Sequence, residues 1–118
     1  MYRLSNHDFD PGVFVGSILE GIYFTENTVH FAFDGYRSIT LDSSYELRRS
    51  GEVERSEVPP RDKALPGLVG HIVIQCSIKE EGRILELEFD DGHALAFVDD
   101  SSQYESFRIG VAGREIVV

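Results

Sequence analysis

Basic side chains are scarce in this sequence: 11 Lys and Arg stand against 21 Asp and Glu, for a formal net charge of −10. Binding to nucleic-acid phosphates or anionic lipid depends on Lys and Arg displacing counterions, so this deficit argues against a nucleic-acid reader and a membrane binder. Cysteine is scarcer still. Cys76 is alone, so no internal disulfide forms, and its setting "IVIQCSI" reads as a strand with Cys76 on the apolar side, packing rather than reacting. No run approaches the roughly 18 uninterrupted apolar residues of a membrane-spanning helix. The opening "MYRLSNHDFDPG" has neither the basic cap nor the apolar stretch of a signal peptide. A soluble cytoplasmic protein is the expectation. Against these absences, 42% of the 118 residues are apolar, enough to close one hydrophobic core without metal or disulfide, and a single domain over 1–118 is expected.

Much of the chain reads as one pattern written twice. "VGSILEGIYFTENTVHFAFDGYRSITLDSSYEL" and "VGHIVIQCSIKEEGRILELEFDDGHALAFVDDSSQYESFRI" both open with Val-Gly. Each then runs through an alternating segment, a polar turn, a second alternating segment ending in Phe-Asp, a Gly and a third alternating segment. The shared unit is a three-stranded meander, over 13–47 and again over 68–109. Register follows from side-chain alternation, because a slip of one residue turns every side chain to the opposite face. A three-residue loop Asp34-Gly35-Tyr36 sets Phe31 opposite Ile39 and Val29 opposite Leu41, and the loop Asp90-Asp91-Gly92 sets Leu87 opposite Leu95 and Leu85 opposite Phe97. The first strands extend these faces with Ile18, Ile22 and Phe24 in one unit and Ile72, Cys76 and Ile78 in the other. Glu20 falls where Ile74 sits, and Gly21 after it predicts a bulge that turns the carboxylate outward.

Residues 48–67, with three of the four prolines, read as a connection with a short strand at Val53 to Val58 and a helical turn near Asp62 to Leu65. Residues 104–118 read as a closing hairpin with Ala112-Gly113 in its turn. The expected fold is all-β with minor helix, two tandem three-stranded meanders plus a C-terminal hairpin forming a β-sandwich or a partly open barrel.

Candidate chemistry is sparse. Asp34, Asp90 and Asp91 occupy loops that a meander needs anyway, and "DDGHALAFVDD" lacks the ligand spacing and terminal Glu of a calcium loop, so these residues read as turns, with hard-cation binding through Asp90, Asp91, Asp99 and Asp100 as the lesser alternative. His7, His30, His71 and His93 have no helical i, i+4 pairing and no second cysteine to complete a zinc site; they read as surface residues. Ser43-Ser44 and Ser101-Ser102 lack the glycine pattern of a nucleophile elbow. No catalytic residue, cofactor or metal is expected. The outer sheet face interleaves Leu19, Tyr23, His30, Ala32, Val73, Ile84, Ala94, Ala96 and Val98 with Glu86 and Glu88; the chain covers this half-apolar surface, or a partner does.

Acid is concentrated between residues 80 and 105, where nine carboxylates face one base, Arg83, a net of −8. That segment supplies the expected partner-binding residues Glu86, Glu88, Asp90, Asp91, Asp99, Asp100, Tyr104 and Glu105, with carboxylates for charge pairing and the tyrosine as an amphipathic anchor. The pattern "LVG…LELEFDDG…YESFRI…GREIVV" resembles an uncharacterised family of small bacterial β-rich proteins over nearly the whole chain; such relatives often carry Trp where Phe107 stands. That family has no catalytic residues assigned. Similar small acidic proteins are frequently immunity partners of toxins, so the resemblance implies a non-enzymatic binder of a basic toxin domain. Two alternatives come from other classes. One is a small-ligand or carbohydrate module with Tyr23 or Tyr36 in a concave mouth. The other is a self-associating structural domain, monomeric or dimeric.

Overall fold

Two turns of three residues fix the register of the fold. Phe31 faces Ile39 and Val29 faces Leu41 across the first, while Leu87 faces Leu95 and Leu85 faces Phe97 across the second, as the alternation predicts. Gly35 and Tyr36 take φ of 70° and 62° in one loop, and Gly92 takes 93° in the other. A computed structural model describes residues 10–25, 28–42, 44–49, 52–57, 65–99, 107–111 and 114–117. Its strands are β1 (Leu19–Phe24), β2 (Val29–Phe33), β3 (Arg37–Leu41), β4 (Ser44–Arg49), β5 (Glu52–Glu57), β6 (Val73–Lys79), β7 (Ile84–Phe89), β8 (His93–Val98), β9 (Phe107–Val111) and β10 (Arg114–Val117).

These form two antiparallel sheets, ordered β1-β2-β3-β9-β10 and β5-β4-β8-β7-β6. The fold is an all-β sandwich and not a closed barrel. Each meander supplies three neighbouring strands to one sheet, and the hairpin that follows it crosses to the other: β4 pairs with β8, and β9 pairs with β3. The short strand expected at Val53 to Val58 in the connection is β5, paired with β4, which begins in the tail of the first unit; the closing hairpin β9–β10 is the counterpart of this β4–β5 pair in the opposite sheet. The predicted turn residues Ala112-Gly113 lie outside the described residues. Of the helical turn expected near Asp62 to Leu65, residues 62–64 lie outside the described ones; a 3-10 turn spans Leu65–Leu68.

The two meanders are stitched together where they begin. The N–H of Gly16 donates to the carbonyl of Val73 at 2.7 Å and that of Gly70 to Leu19 at 2.8 Å; the N–H of Leu19 donates to His71 at 3.1 Å and that of Val73 to Ser17 at 2.9 Å. This is a near-two-fold seam centred on the bridge between Ile18 and Ile72. Its sharp entry turns use glycine because Gly16 and Gly70 sit at φ of 87° and 93°, where a Cβ is disfavoured.

Both first strands carry a bulge, between Leu19 and Gly21 and between Val73 and Gln75. Only the first was predicted, from Glu20; the second holds Ile74, expected inside, at 55% exposure. A bulge reverses the facing of whatever precedes it. Leu19 and Val73, expected on the outer face, are therefore in the core, and Ile18 and Ile72, expected inside, are 38% and 39% exposed. Phe24, also expected inside, lies half-exposed at the strand end.

Between the sheets Phe31 meets Phe97 edge to face at 5.1 Å, and Phe97 lies 6.0 Å from Phe107; Phe14, from the 3-10 turn Pro11–Phe14, packs on Phe33 at 5.3 Å. Cys76 lies buried among them, as its pattern predicts. Burial, aided by the charge of Asp10, pushes its thiol up to about 12 from an ordinary 9.0. Only the thiolate attacks disulfides, so native protein at pH 8 is expected to label with an aromatic disulfide reagent about a thousandfold more slowly than urea-unfolded protein. Comparable rates in the two states would place Cys76 outside the core.

Candidate functional site

Each meander pins its own loop back onto the seam through an aspartate. The N–H of Ile18 donates to Oδ1 of Asp34 at 3.0 Å while the N–H of Asp34 donates to the Ile18 carbonyl at 3.1 Å. Ile72 and Asp90 repeat the arrangement, at 3.3 Å and 2.9 Å. The first aspartate of each loop therefore has a structural duty, closing a reciprocal pair of bonds against backbone that would otherwise lack partners.

The second loop carries more than that duty requires. Nδ1 of His71 lies 2.8 Å from Oδ1 of Asp90, and its Nε2 lies 3.8 Å from Oδ2 of Asp91. Asp91 also accepts the N–H of His93 at 3.0 Å and sits 2.7 Å from its Nδ1. Burial alone raises the Asp91 carboxyl, but the two hydrogen bonds from His93 and the charges of His93 and His71 outweigh it, and its pKa ends below the usual carboxylate value. The side chains of His71, Asp90 and Asp91 can each turn one ligand atom toward a common point, those atoms lying within 4.8 Å of one another.

Of the acidic residues expected to bind a partner, the structure brings Asp90 and Asp91 together at this corner. Glu86 is elsewhere, on the outer face of the second sheet, and it is buried: 4% exposed, it accepts from Arg48 Nη1 at 2.8 Å and Lys79 Nζ at 2.7 Å. Arg48 also donates to Glu46 at 2.6 Å. Glu88 is half-buried on the same strand, and Asp99 is buried at the end of β8, where its backbone exchanges bonds with Arg83. Asp100, Tyr104 and Glu105 lie outside the described residues. Around Glu86 the apolar outer residues Ile84, Ala96 and Val98 form a second buried cluster, so this face is covered within the chain.

On the outer face of the first sheet, Tyr23 is exposed with its ring 6.0 Å from that of His30, and Nδ1 of His30 lies 2.7 Å from Oγ1 of Thr40. Burial and then the Arg108 charge lower the His30 pKa, which keeps the ring neutral near pH 7. Tyr36 projects from its loop 93% exposed.

Sequence reasoning missed the seam itself. Val15, Ile18, Val69, Ile72 and Ile74 are 48%, 38%, 42%, 39% and 55% exposed. Ile18 and Ile72 oppose each other in an antiparallel bridge, and opposed residues present side chains on the same side. Ile74 sits at the bulge that follows Ile72, and Val15 and Val69 are in the turns that lead in. The carboxylates of Asp34 and Asp90 are bonded to the backbone of Ile18 and Ile72, and Glu20, next in sequence to Leu19, is exposed. The two Val-Gly openings were a signal for it, since a glycine turn inserted before an apolar pair breaks simple alternation.

Among the described residues, no helix is long and apolar enough to cross a membrane. No curated protein and no solved structure matches the chain. A family model does match, over residues 13–118, and with nearly every element described above inside that span, the chain belongs to the family of unknown function DUF6188.

Proposed function

We propose that this chain is a non-enzymatic binding protein that covers a basic protein surface, in the manner of a bacterial immunity protein held against a toxin domain. The exposed apolar strip at the seam, with the carboxylates of Asp34 and Asp90 bonded to its backbone, carries this reading. Scattered apolar side chains on a surface need no explanation, but Ile18 and Ile72 side by side at the bridge, with exposed Val15, Val69 and Ile74 within three residues of them in sequence, form the kind of patch a partner desolvates. Carboxylates on a chain of net charge −10 favour a cationic partner by raising the association rate and repelling acidic competitors. The small-ligand alternative has less support, because Tyr23 and Tyr36 are 61% and 93% exposed rather than set in a concavity.

The test is calorimetric titration of the chain with the purified product of the adjoining reading frame, at low and high salt. Ile72→Glu is expected to weaken binding about a hundredfold, as loss of a central anchor does, and Glu20→Lys to remove much of the salt dependence. Neither substitution touches the core. Binding that ignores both variants, or an adjoining product that does not bind, would overturn the reading; a dimer formed through the same strip, detected by light scattering, would replace it with self-association.

A further inference from the structure

We infer that His71, Asp90 and Asp91 form a site for a divalent cation of the zinc class, with His93 holding Asp91 in place. This inference stands apart from the protein-binding reading. Its basis is a comparison that the molecule itself supplies. The two loops share a backbone: Asp34 and Asp90 make the same reciprocal bonds to Ile18 and Ile72, and Ser17 and His71 occupy matching places in the seam. Where the second loop has His71, Asp91 and His93, the first has Ser17, Gly35 and Arg37. The first loop closes without any imidazole or second carboxylate. The fold therefore requires one aspartate at this corner, and the other three side chains are surplus to it.

Their arrangement suits a metal ion. Nδ1 of His71 lies 2.8 Å from Asp90 and its Nε2 3.8 Å from Asp91, and one ligand atom from each of the three lies within 4.8 Å of the others; rotation of these side chains would close that spacing to the roughly 3.3 Å that ligands at about 2.0 Å from a zinc ion adopt. One nitrogen and two carboxylate oxygens on a half-exposed corner match zinc with water in its fourth position; calcium prefers six to eight oxygens. His93 supplies what first ligands usually need behind them, since its N–H and ring nitrogen fix Asp91 at 3.0 Å and 2.7 Å. The cation also offsets two adjacent carboxylates in a segment of net charge −8.

The experiment is calorimetric titration of the chelator-stripped full chain with zinc chloride. One equivalent is expected to bind in the micromolar range, and nuclear magnetic resonance is expected to show the His71 ring signals shifting most. His71→Ala and Asp91→Asn should each weaken binding at least tenfold. The His71 side chain is 38% exposed and that of Asp91 19%, and unchanged circular dichroism without zinc would verify the fold of each variant. Asp90 is left intact because it clamps the loop. Cys76→Ser should bind as the parent does. No zinc binding, binding undiminished in both His71→Ala and Asp91→Asn, or binding lost in Cys76→Ser would each overturn the site.

Discussion

Glu86→Lys is expected to abolish folding. The parent side chain is 4% exposed and accepts hydrogen bonds from both Arg48 and Lys79, so reversal places three cations together beneath the outer face of the second sheet. Leaving a buried charge without its counter-ion costs about 3–5 kcal/mol, and here the new ammonium is that charge, with repulsion from Arg48 and Lys79 added. A domain with 5–15 kcal/mol of total stability has little left. Glu86→Leu is the instructive control. Arg48 and Lys79 are 35% and 47% exposed, so both can turn to water, and Arg48 keeps Glu46 at 2.6 Å. Leucine beside Ile84, Ala96 and Val98 should therefore cost far less than lysine. Urea denaturation followed by circular dichroism separates the two. A Glu86→Lys protein melting with the parent midpoint would show that this carboxylate is open to solvent. The same result bears on function: reversing Glu86 to probe a partner confounds unfolding with lost affinity, so surface positions such as Glu20 and Ile72 are the sound probes.

Phe97→Ala is expected to cost about 3–5 kcal/mol, the range for truncating a buried aromatic ring. Phe97 has no exposed surface and bridges the layers, meeting Phe31 at 5.1 Å and Phe107 at 6.0 Å from the opposite sheet. Deleting it leaves a void bounded by two rings on strands whose hydrogen bonds prevent collapse. Ile74→Ala, at a side chain 55% exposed, is expected to stay within about 0.5 kcal/mol of the parent. Equal midpoints for these two variants in urea would mean that the sheets do not pack through the Phe97 cluster.

How far such arguments reach from sequence depends on the range of the interaction. Hairpin register was legible because Phe31, Ile39, Leu87 and Leu95 obey a period of two on both sides of a short turn. The facing of Ile18, Leu19, Ile72 and Val73 was not, because one bulge residue inverts it and nothing in the local alternation around Ile74 marks the insertion. Glu86 shows the same limit at a site. Its i, i+2 partner Glu88 suggests a hydrated face, whereas Arg48 is brought in from 38 residues away by the crossing of β4 to the second sheet.

By itself the sequence determined the β class, the two meanders, the position of their aspartate-glycine corners and the strongly anionic character, all set by neighbours within a few residues. Tertiary structure alone decided that each trailing hairpin joins the other meander's sheet, that an apolar seam stays open at the junction, and that His71 stands between Asp90 and Asp91. Those outcomes depend on pairing between distant segments, whose free energy comes from burying faces against each other and is written in no single stretch of chain.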